Sequence, residues 1–322
     1  MTDPTLPVAV VCDNTMGIPG GEIDDGLALL YLRGCAPEGV RVELVATTHG
    51  NAPTADTDRA TRWLCKRILP EVPVLRGSDA SAPGEKPTLP DGAAGAAGGP
   101  APASEAARGL VKLAWERGPG TVTLLSLGAT TELAAAERLR PGTLARFGGV
   151  CLMGGLTRAL VVGGRIMDEL NFSVDTRATR EVLATARTGA RLRIADAQDC
   201  LPLRFDGGEF LGRLGTGEKP GAELVRTACE PWIERTRETW GVDGFIGWDV
   251  LAAVAAAHPE EVELLPRRVV LNGRFLEVGL LEEADPEVPE ELTAPVELVH
   301  VRDGAALREH VYRTWERGLG QG

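Results

Sequence analysis

Short apolar runs alternate with longer stretches of helical period, and this alternation leaves the chain very few architectures. The runs are residues 8–12, 42–47, 72–75, 122–127, 150–153, 192–195 and 296–301. Most are apolar at consecutive rather than alternate positions, which fits strands covered on both faces, as in a parallel sheet. Helical patterns fill the intervals at residues 24–32, 54–68, 105–116, 131–138, 176–187, 222–239 and 249–257. Strand and helix in turn predict an α/β fold, an open, mostly parallel sheet flanked by helices. Residues 270–295 read as a small antiparallel addition near the C-terminus. With no internal repeat and no linker, residues 1–322 read as one domain.

Composition narrows the partners. Hydrophobic residues at 43% supply a core, and charged residues at 25% are too few for a disordered chain. Thirty-four basic against 46 acidic side chains give a net charge of −12, and no long basic block offsets it. A nucleic-acid or anionic-membrane surface is therefore not expected, whereas a small molecule or a cation is. Cys12, Cys35, Cys65, Cys151, Cys200 and Cys229 form no CxxC pair, so neither a zinc ribbon nor a redox motif is indicated. Several sit in apolar runs, as small hydrophobes do. With no basic leader in residues 1–7 and no apolar window of ~18 residues, a soluble cytoplasmic protein is expected. Residues 90–100, made of Pro, Asp, Gly and Ala, read as a surface loop or as a flap over a site.

The richest segment follows the first run. The apolar residues 8–12 end at Asp13, a glycine-rich loop carries Glu22, and a helix opens on Asp24 and Asp25. Ligands of open α/β sheets bind at the carboxyl ends of the strands, which is where these four carboxylates fall. Packed like charges invite a hard cation, Ca2+ or Mg2+ for an all-oxygen set. The other reading is local, because acidic residues in a first helical turn complement the helix dipole anyway. The glycines match neither the dinucleotide nor the P-loop pattern. Thr48-His49-Gly50-Asn51, Gly128 to Glu132, Met153-Gly154-Gly155, Asp168 to Phe172 and Gly247-Trp248-Asp249 lie at matching strand ends. Thr131 and Asp249 also suit helix N-caps. His258 and His310 read as surface residues and His300 as structural.

Together these blocks resemble the inosine–uridine-type nucleoside hydrolases. Asp13-Asn14-Thr15-Met16-Gly17 with Asp24-Asp25-Gly26 is similar to the family's DxDxGxDD, with a longer loop. His49-Gly50-Asn51 resembles its AGN, Leu127 to Leu133 its LGPLTNI, and Met153-Gly154-Gly155 its MGG. Glu169-Leu170-Asn171 resembles its EFN, and Trp248-Asp249 its HD. The resemblance implies hydrolysis of the N-glycosidic bond of a ribonucleoside or nucleoside-like ribosyl compound, with a bound Ca2+ that holds the attacking water. It further implies metal contacts at Asp13, Asp25, Asp249 and the Thr131 carbonyl. Sugar and base contacts are implied at Asp24, Asn51, Met153, Glu169, Asn171 and Trp248. A homodimer or homotetramer is the family's usual state.

Two positions depart from that pattern. Thr15 stands where the family has a second, calcium-binding aspartate that acts as general base. Threonine cannot serve as that base, so Asp13, or in second place Glu22, is expected to take over. Trp248 replaces the histidine that protonates the leaving base, and it either stacks on a flat base or packs in the core. These departures keep two alternatives open: a non-catalytic nucleoside- or ribose-binding relative, and ribosyl transfer to an acceptor other than water.

Overall fold

The computed structural model describes residues 5–79, 103–217 and 221–320. The stretch read as a loop or flap, residues 90–100, lies outside them. In chain order the first half contains β1 (Leu6–Cys12), α1 (Asp24–Gly34), β2 (Val40–Thr47), α2 (Thr54–Ile68), β3 (Val74–Leu75), α3 (Glu105–Glu116), β4 (Thr123–Ser126), α4 (Thr131–Leu139) and β5 (Gly149–Met153). Then come β6 (Leu160–Val162), β7 (Arg165–Met167), α5 (Thr176–Ala184), β8 (Leu192–Ala195), α6 (Ala197–Cys200), β9 (Arg204–Asp206), α7 (Gly207–Leu214) and α8 (Ala222–Trp240). The last elements are β10 (Gly244–Ile246), α9 (Trp248–Ala257), β11 (Glu263–Val270), β12 (Thr293–His300) and α10 (Gly304–Gly320).

Eight strands form one sheet in the order β11-β12-β8-β5-β4-β1-β2-β3, parallel throughout except for β11. The expected fold class is the one observed. The antiparallel addition differs in its bounds. Its strands are β11 and β12, paired from Glu263 with His300 to Val270 with Thr293. Residues 270–295 are mainly the connection between them, with short 3-10 turns at Leu276–Val278 and Glu290–Leu292.

Strand β1 shows why the sheet is covered on both sides. Val8, Val10 and Cys12 belong to the apolar cluster on one face, and Ala9 and Val11 to the cluster on the other. All five are fully buried, as period-2 alternation between two helical layers requires. The chain steps outward from β1 to β2 and β3, then returns to place β4 on the other side of β1. The order therefore reverses between β1 and β4, and an open α/β sheet offers its ligand crevice at such a reversal.

On one face α1 packs against α9 and α10. Every residue of α1 except Arg33 is buried, so this helix is core on all sides. Glycines bring α1 and α10 together. A Cβ on Gly34 would meet the Thr314 carbonyl oxygen at 2.0 Å, and one on Gly318 would meet Leu30 O at 2.7 Å. The Trp315 indole N–H donates to Leu27 O at 2.9 Å across the same contact.

Candidate active site

The carboxylates converge at the carboxyl edge of β1. Asp13 directly follows the strand and is fully buried. Its Oδ2 accepts the Asn51 backbone N–H, which ties the end of β1 to the loop after β2. Backbone presses on both sides of the group. A Cβ on Gly50 would sit 2.0 Å from Asp13 Oδ2, and one on Gly128 2.7 Å from Oδ1. Glycine at both positions is therefore a steric requirement of this carboxylate. The Asp13 N–H donates to Asp25 Oδ1 at 3.1 Å. Asp24 Oδ1 accepts the Asp25 N–H at 3.2 Å, and the Asp24 carboxylate also takes the Asp249 N–H. The N-termini of α1 and α9 are thus joined through Asp24.

Asp24, Asp25 and Asp249 each bring a carboxylate oxygen within 4.8 Å of the other two, and all three residues are buried. Asp13 Oδ1 and Asp25 Oδ2 are buried without a hydrogen-bond partner. A buried carboxylate oxygen left bare is costly, and so is a set of like charges at this spacing. Burial, assisted by Asp24, pushes the Asp13 carboxyl up to about 7 against the pull of the Asn51 N–H. Burial pushes Asp24 up to about 7 as well, opposed by backbone N–H groups. Glu22, Asp25 and Asp249 are also raised, by burial first and then by the neighbouring carboxylates. The donors are all hard oxygens with unused lone pairs, so the residues present fit a hard cation.

The remaining predicted residues lie in the loops and element ends that follow other strands. Asn51 is half-buried beside Asp13. Asn171 donates through Nδ2 to Leu127 O at 2.9 Å and to Met153 O at 3.1 Å, pinning its loop to the ends of β4 and β5. Met153 is buried at that junction. Glu169 is held by backbone: Oε1 accepts the Gly155 and Phe172 N–H groups, and Oε2 that of Ser173. Even so, burial raises its carboxyl to about 7. Thr131 opens α4, and its hydroxyl donates to Asp175 Oδ2 at 2.7 Å. The Thr15 hydroxyl donates to Glu22 O at 3.0 Å, tying Glu22 to the position where the departure in the motif lies. His49 is buried with Nδ1 unpartnered, and burial holds its imidazole below the ordinary value.

A small cleft opens beside the cluster. Glu22 and Asp24 stand at its polar end. Trp232, Trp240, Phe245 and Trp248 form most of the remaining wall, with Val162 and Met167 from the β6–β7 hairpin. Trp248, the first residue of α9, is thus half-buried on the cleft rather than enclosed in the core. Sequence reasoning missed Trp232 and Trp240. They sit eight positions apart on α8, a spacing that a core-facing stripe shares. Two surface expectations fail as well. His258 and His310 are half-buried, their rings 5.3 Å apart, in a cluster with Tyr31.

An α/β sheet whose switch point carries buried carboxylates next to an aromatic cleft belongs to the class of proteins that bind a small polar ligand at the carboxyl ends of the strands. Residues 10–305 match the family described as inosine-uridine preferring nucleoside hydrolase, and the chain belongs to that family. It is a nucleoside N-ribohydrolase, an enzyme of N-glycosidic hydrolysis. It is 27% identical over 271 residues to the probable uridine nucleosidase 2 of Oryza sativa subsp. japonica, covering 80% of this chain and 76% of that protein. It is 26% identical over 250 residues to uridine nucleosidase 1 of Arabidopsis thaliana, covering 74% and 72%. Among solved structures, the plant nucleoside hydrolase PpNRh1 superposes with a TM-score of 0.76 at 22% identity, over 99% of this chain and 100% of that one. A purine-preferring ribonucleoside hydrolase from Gardnerella vaginalis gives 0.75 at 17% identity, over 98% and 99%. Among the described residues no helix is long and apolar enough to cross a membrane.

Proposed function

We propose that the chain, acting as one domain over residues 1–322, hydrolyses a free nucleoside whose base lies in the aromatic cleft and whose ribose meets the carboxylates. The observation that carries this reading is the junction itself: the tryptophan-lined wall ends on Glu22 and Asp24. Flat bases of either size stack on such a wall. The ribose would lie against Asp24, Asn51, Met153, Glu169 and Asn171. Ca2+ is the proposed cation, held by Asp13, Asp25, Asp249 and the Thr131 carbonyl. Bound there it would supply positive charge that acidifies an attacking water and fixes the ribose hydroxyls.

The protein's own groups do the rest. As the C1′–nitrogen bond breaks, the sugar gains oxocarbenium character. The negative field of Asp24 and its neighbours favours that positive charge over the neutral ground state. A carboxylate must take the proton of the attacking water, and one with its pKa near neutrality suits the task. Asp13 is the first choice. One observation favours Glu22 as a second: it lines the cleft, whereas Asp13 is fully enclosed. No histidine lines the cleft among the described residues, so the departing base is stabilised by stacking and by exclusion of water.

The test starts with metal content before and after chelation, followed by a nucleoside panel read by release of free base. Uridine heads the panel, because the rice and Arabidopsis relatives are named for it. About one removable calcium per chain and base release from at least one nucleoside are expected. A protein that takes up no calcium and releases no base would overturn the reading. Comparing Asp13→Asn with Glu22→Gln, each at measured full calcium occupancy, then identifies the base, since with the metal bound only loss of the true base should reduce kcat by orders of magnitude while KM holds.

A further inference from the structure

A second cluster lies at the opposite edge of the sheet from the acidic one. The backbone leaves α1 at Cys35, makes a short turn through Glu38, and enters β2. His258 immediately follows α9. Cys35, Glu38 and His258 each bring one donor atom within 4.8 Å of the other two. Cys35 is fully buried, His258 half-buried, and Glu38 reaches the surface, which provides a route in.

We propose that Cys35, Glu38 and His258 form a binding site for a thiophilic divalent cation of the Zn2+ type, separate from the catalytic carboxylates.

The argument rests on the imidazole. His258 Nδ1 lies 3.1 Å from Glu260 Oε1, a contact in which Nδ1 is the donor, since a carboxylate only accepts. That bond uses one ring nitrogen and leaves the other, Nε2, on the Glu38 side. Nε2 lies 2.8 Å from Glu38 Oε2 and is buried without a hydrogen bond of proper geometry. A buried imidazole nitrogen without a hydrogen-bond partner, beside a carboxylate and a thiol, is a donor open to a cation. Arg317 Nη1 does not fill that role, because it holds the other oxygen, Glu38 Oε1, at 2.6 Å. A carboxylate fixing Nδ1 of a metal-binding histidine is the usual outer-shell arrangement.

The donor set chooses the ion. Sulfur, imidazole nitrogen and one carboxylate oxygen match Zn2+, which bonds them at about 2.0–2.3 Å and completes a tetrahedron with water. The same set is poor for Ca2+ and Mg2+, which want oxygen alone. Charge balances, since a dication meets one thiolate and one carboxylate. The thiol proton leaves to solvent on binding. Without metal, burial and then Glu38 push the Cys35 thiol up to about 12, so metal uptake should grow steeply with pH.

Titration of the chelated, reduced protein with Co2+ under excess Ca2+ tests the assignment, because calcium fills the acidic cluster and ignores thiols. One equivalent of Co2+ should bind with a thiolate-to-cobalt charge-transfer band and the intense visible bands of a tetrahedral centre, and Zn2+ should abolish both. Cys35→Ser should remove the charge-transfer band. Glu38→Gln and His258→Gln, at less buried positions, should keep the fold and weaken Co2+ binding by at least about tenfold. No thiolate band in the wild type would overturn the proposal. So would a band that survives Cys35→Ser, or unchanged affinity in both surface variants.

Discussion

Replacing Asp24 by asparagine should reverse its effect on stability according to whether calcium is present. Asparagine has the same shape, and its Oδ1 can still accept the Asp25 N–H, so the change removes a charge and at most the bond from the Asp249 N–H. A carboxyl that titrates at about 7 in place of 3.8 costs about 4 kcal/mol to ionise where it sits, since each pH unit is about 1.4 kcal/mol. Part of that is recovered as the neighbouring carboxylates protonate in its place, leaving about 1–3 kcal/mol for the substitution. In chelator the folded protein holds the Asp24 proton more tightly than the unfolded chain does. Stability from this group is therefore full below about pH 4 and lost as the pH rises towards and past 7. At pH 8 without metal, Asp24→Asn should melt higher than the wild type, by about 2 °C per kcal/mol for a chain of this size. The two should coincide below about pH 4. Saturating calcium should invert the order, because the Asp24 charge, within 4.8 Å of the Asp25 and Asp249 carboxylates, strengthens their hold on the cation, and a ligand at 100 times its Kd adds about 2.7 kcal/mol to the protein that binds it well. Thermal unfolding by circular dichroism from pH 4 to 8, with chelator or with calcium, reads all four cases. A wild type that melts above Asp24→Asn in chelator at pH 8 would refute the reasoning.

Three further outcomes follow from the packing. Trp240→Ala opens the aromatic wall and should raise KM for the preferred nucleoside about 10- to 100-fold, with a smaller change in kcat, in steady-state assays of base release. Gly318→Ala places a methyl 2.7 Å from Leu30 O, a backbone atom that cannot step aside, and should lower stability by about 1–3 kcal/mol in denaturant titration. Glu169→Gln brings an amide N–H against backbone N–H groups that the carboxylate now accepts, and should cost about 1–3 kcal/mol together with a rise in KM.

Much of this was legible because local and global signals agree. Helices Thr54–Ile68 and Glu105–Glu116 have the bounds expected from sequence, and Ser104 caps the second by accepting the Ala107 N–H. The runs taken as strands all lie in the central sheet, with ends shifted by up to a few residues. β11 escaped notice because Pro266, Arg267 and Arg268 break an apolar run, and the sheet tolerates them only because β11 is its outer strand. The pairs β6–β7 and β9–β10 have three residues per strand, too few to show a period. The carboxylates were readable from their place at strand and helix ends. The aromatic wall was not, since a tryptophan that lines a cleft and one that fills a core leave the same mark on a helical stripe. Cys35, Glu38 and His258 lie more than 200 positions apart at their extremes, and only the parallel packing of α1 and α9 brings them together.

Helix α1 has a consequence for how the chain is made. It is made well before the two helices that cover it, yet nearly all of its surface is destined for burial. Its covers come late: α9 begins at residue 248, and α10, which the Trp315 and Gly318 contacts seat on it, at residue 304. Until those helices are made, α1 has only β2 and α2 among its native helix and strand neighbours, and its remaining apolar surface is a natural client for a holding chaperone. Asp24 and Asp25 wait equally long for Asp249, so a nascent chain can complete this candidate cation site only after residue 249 has been made.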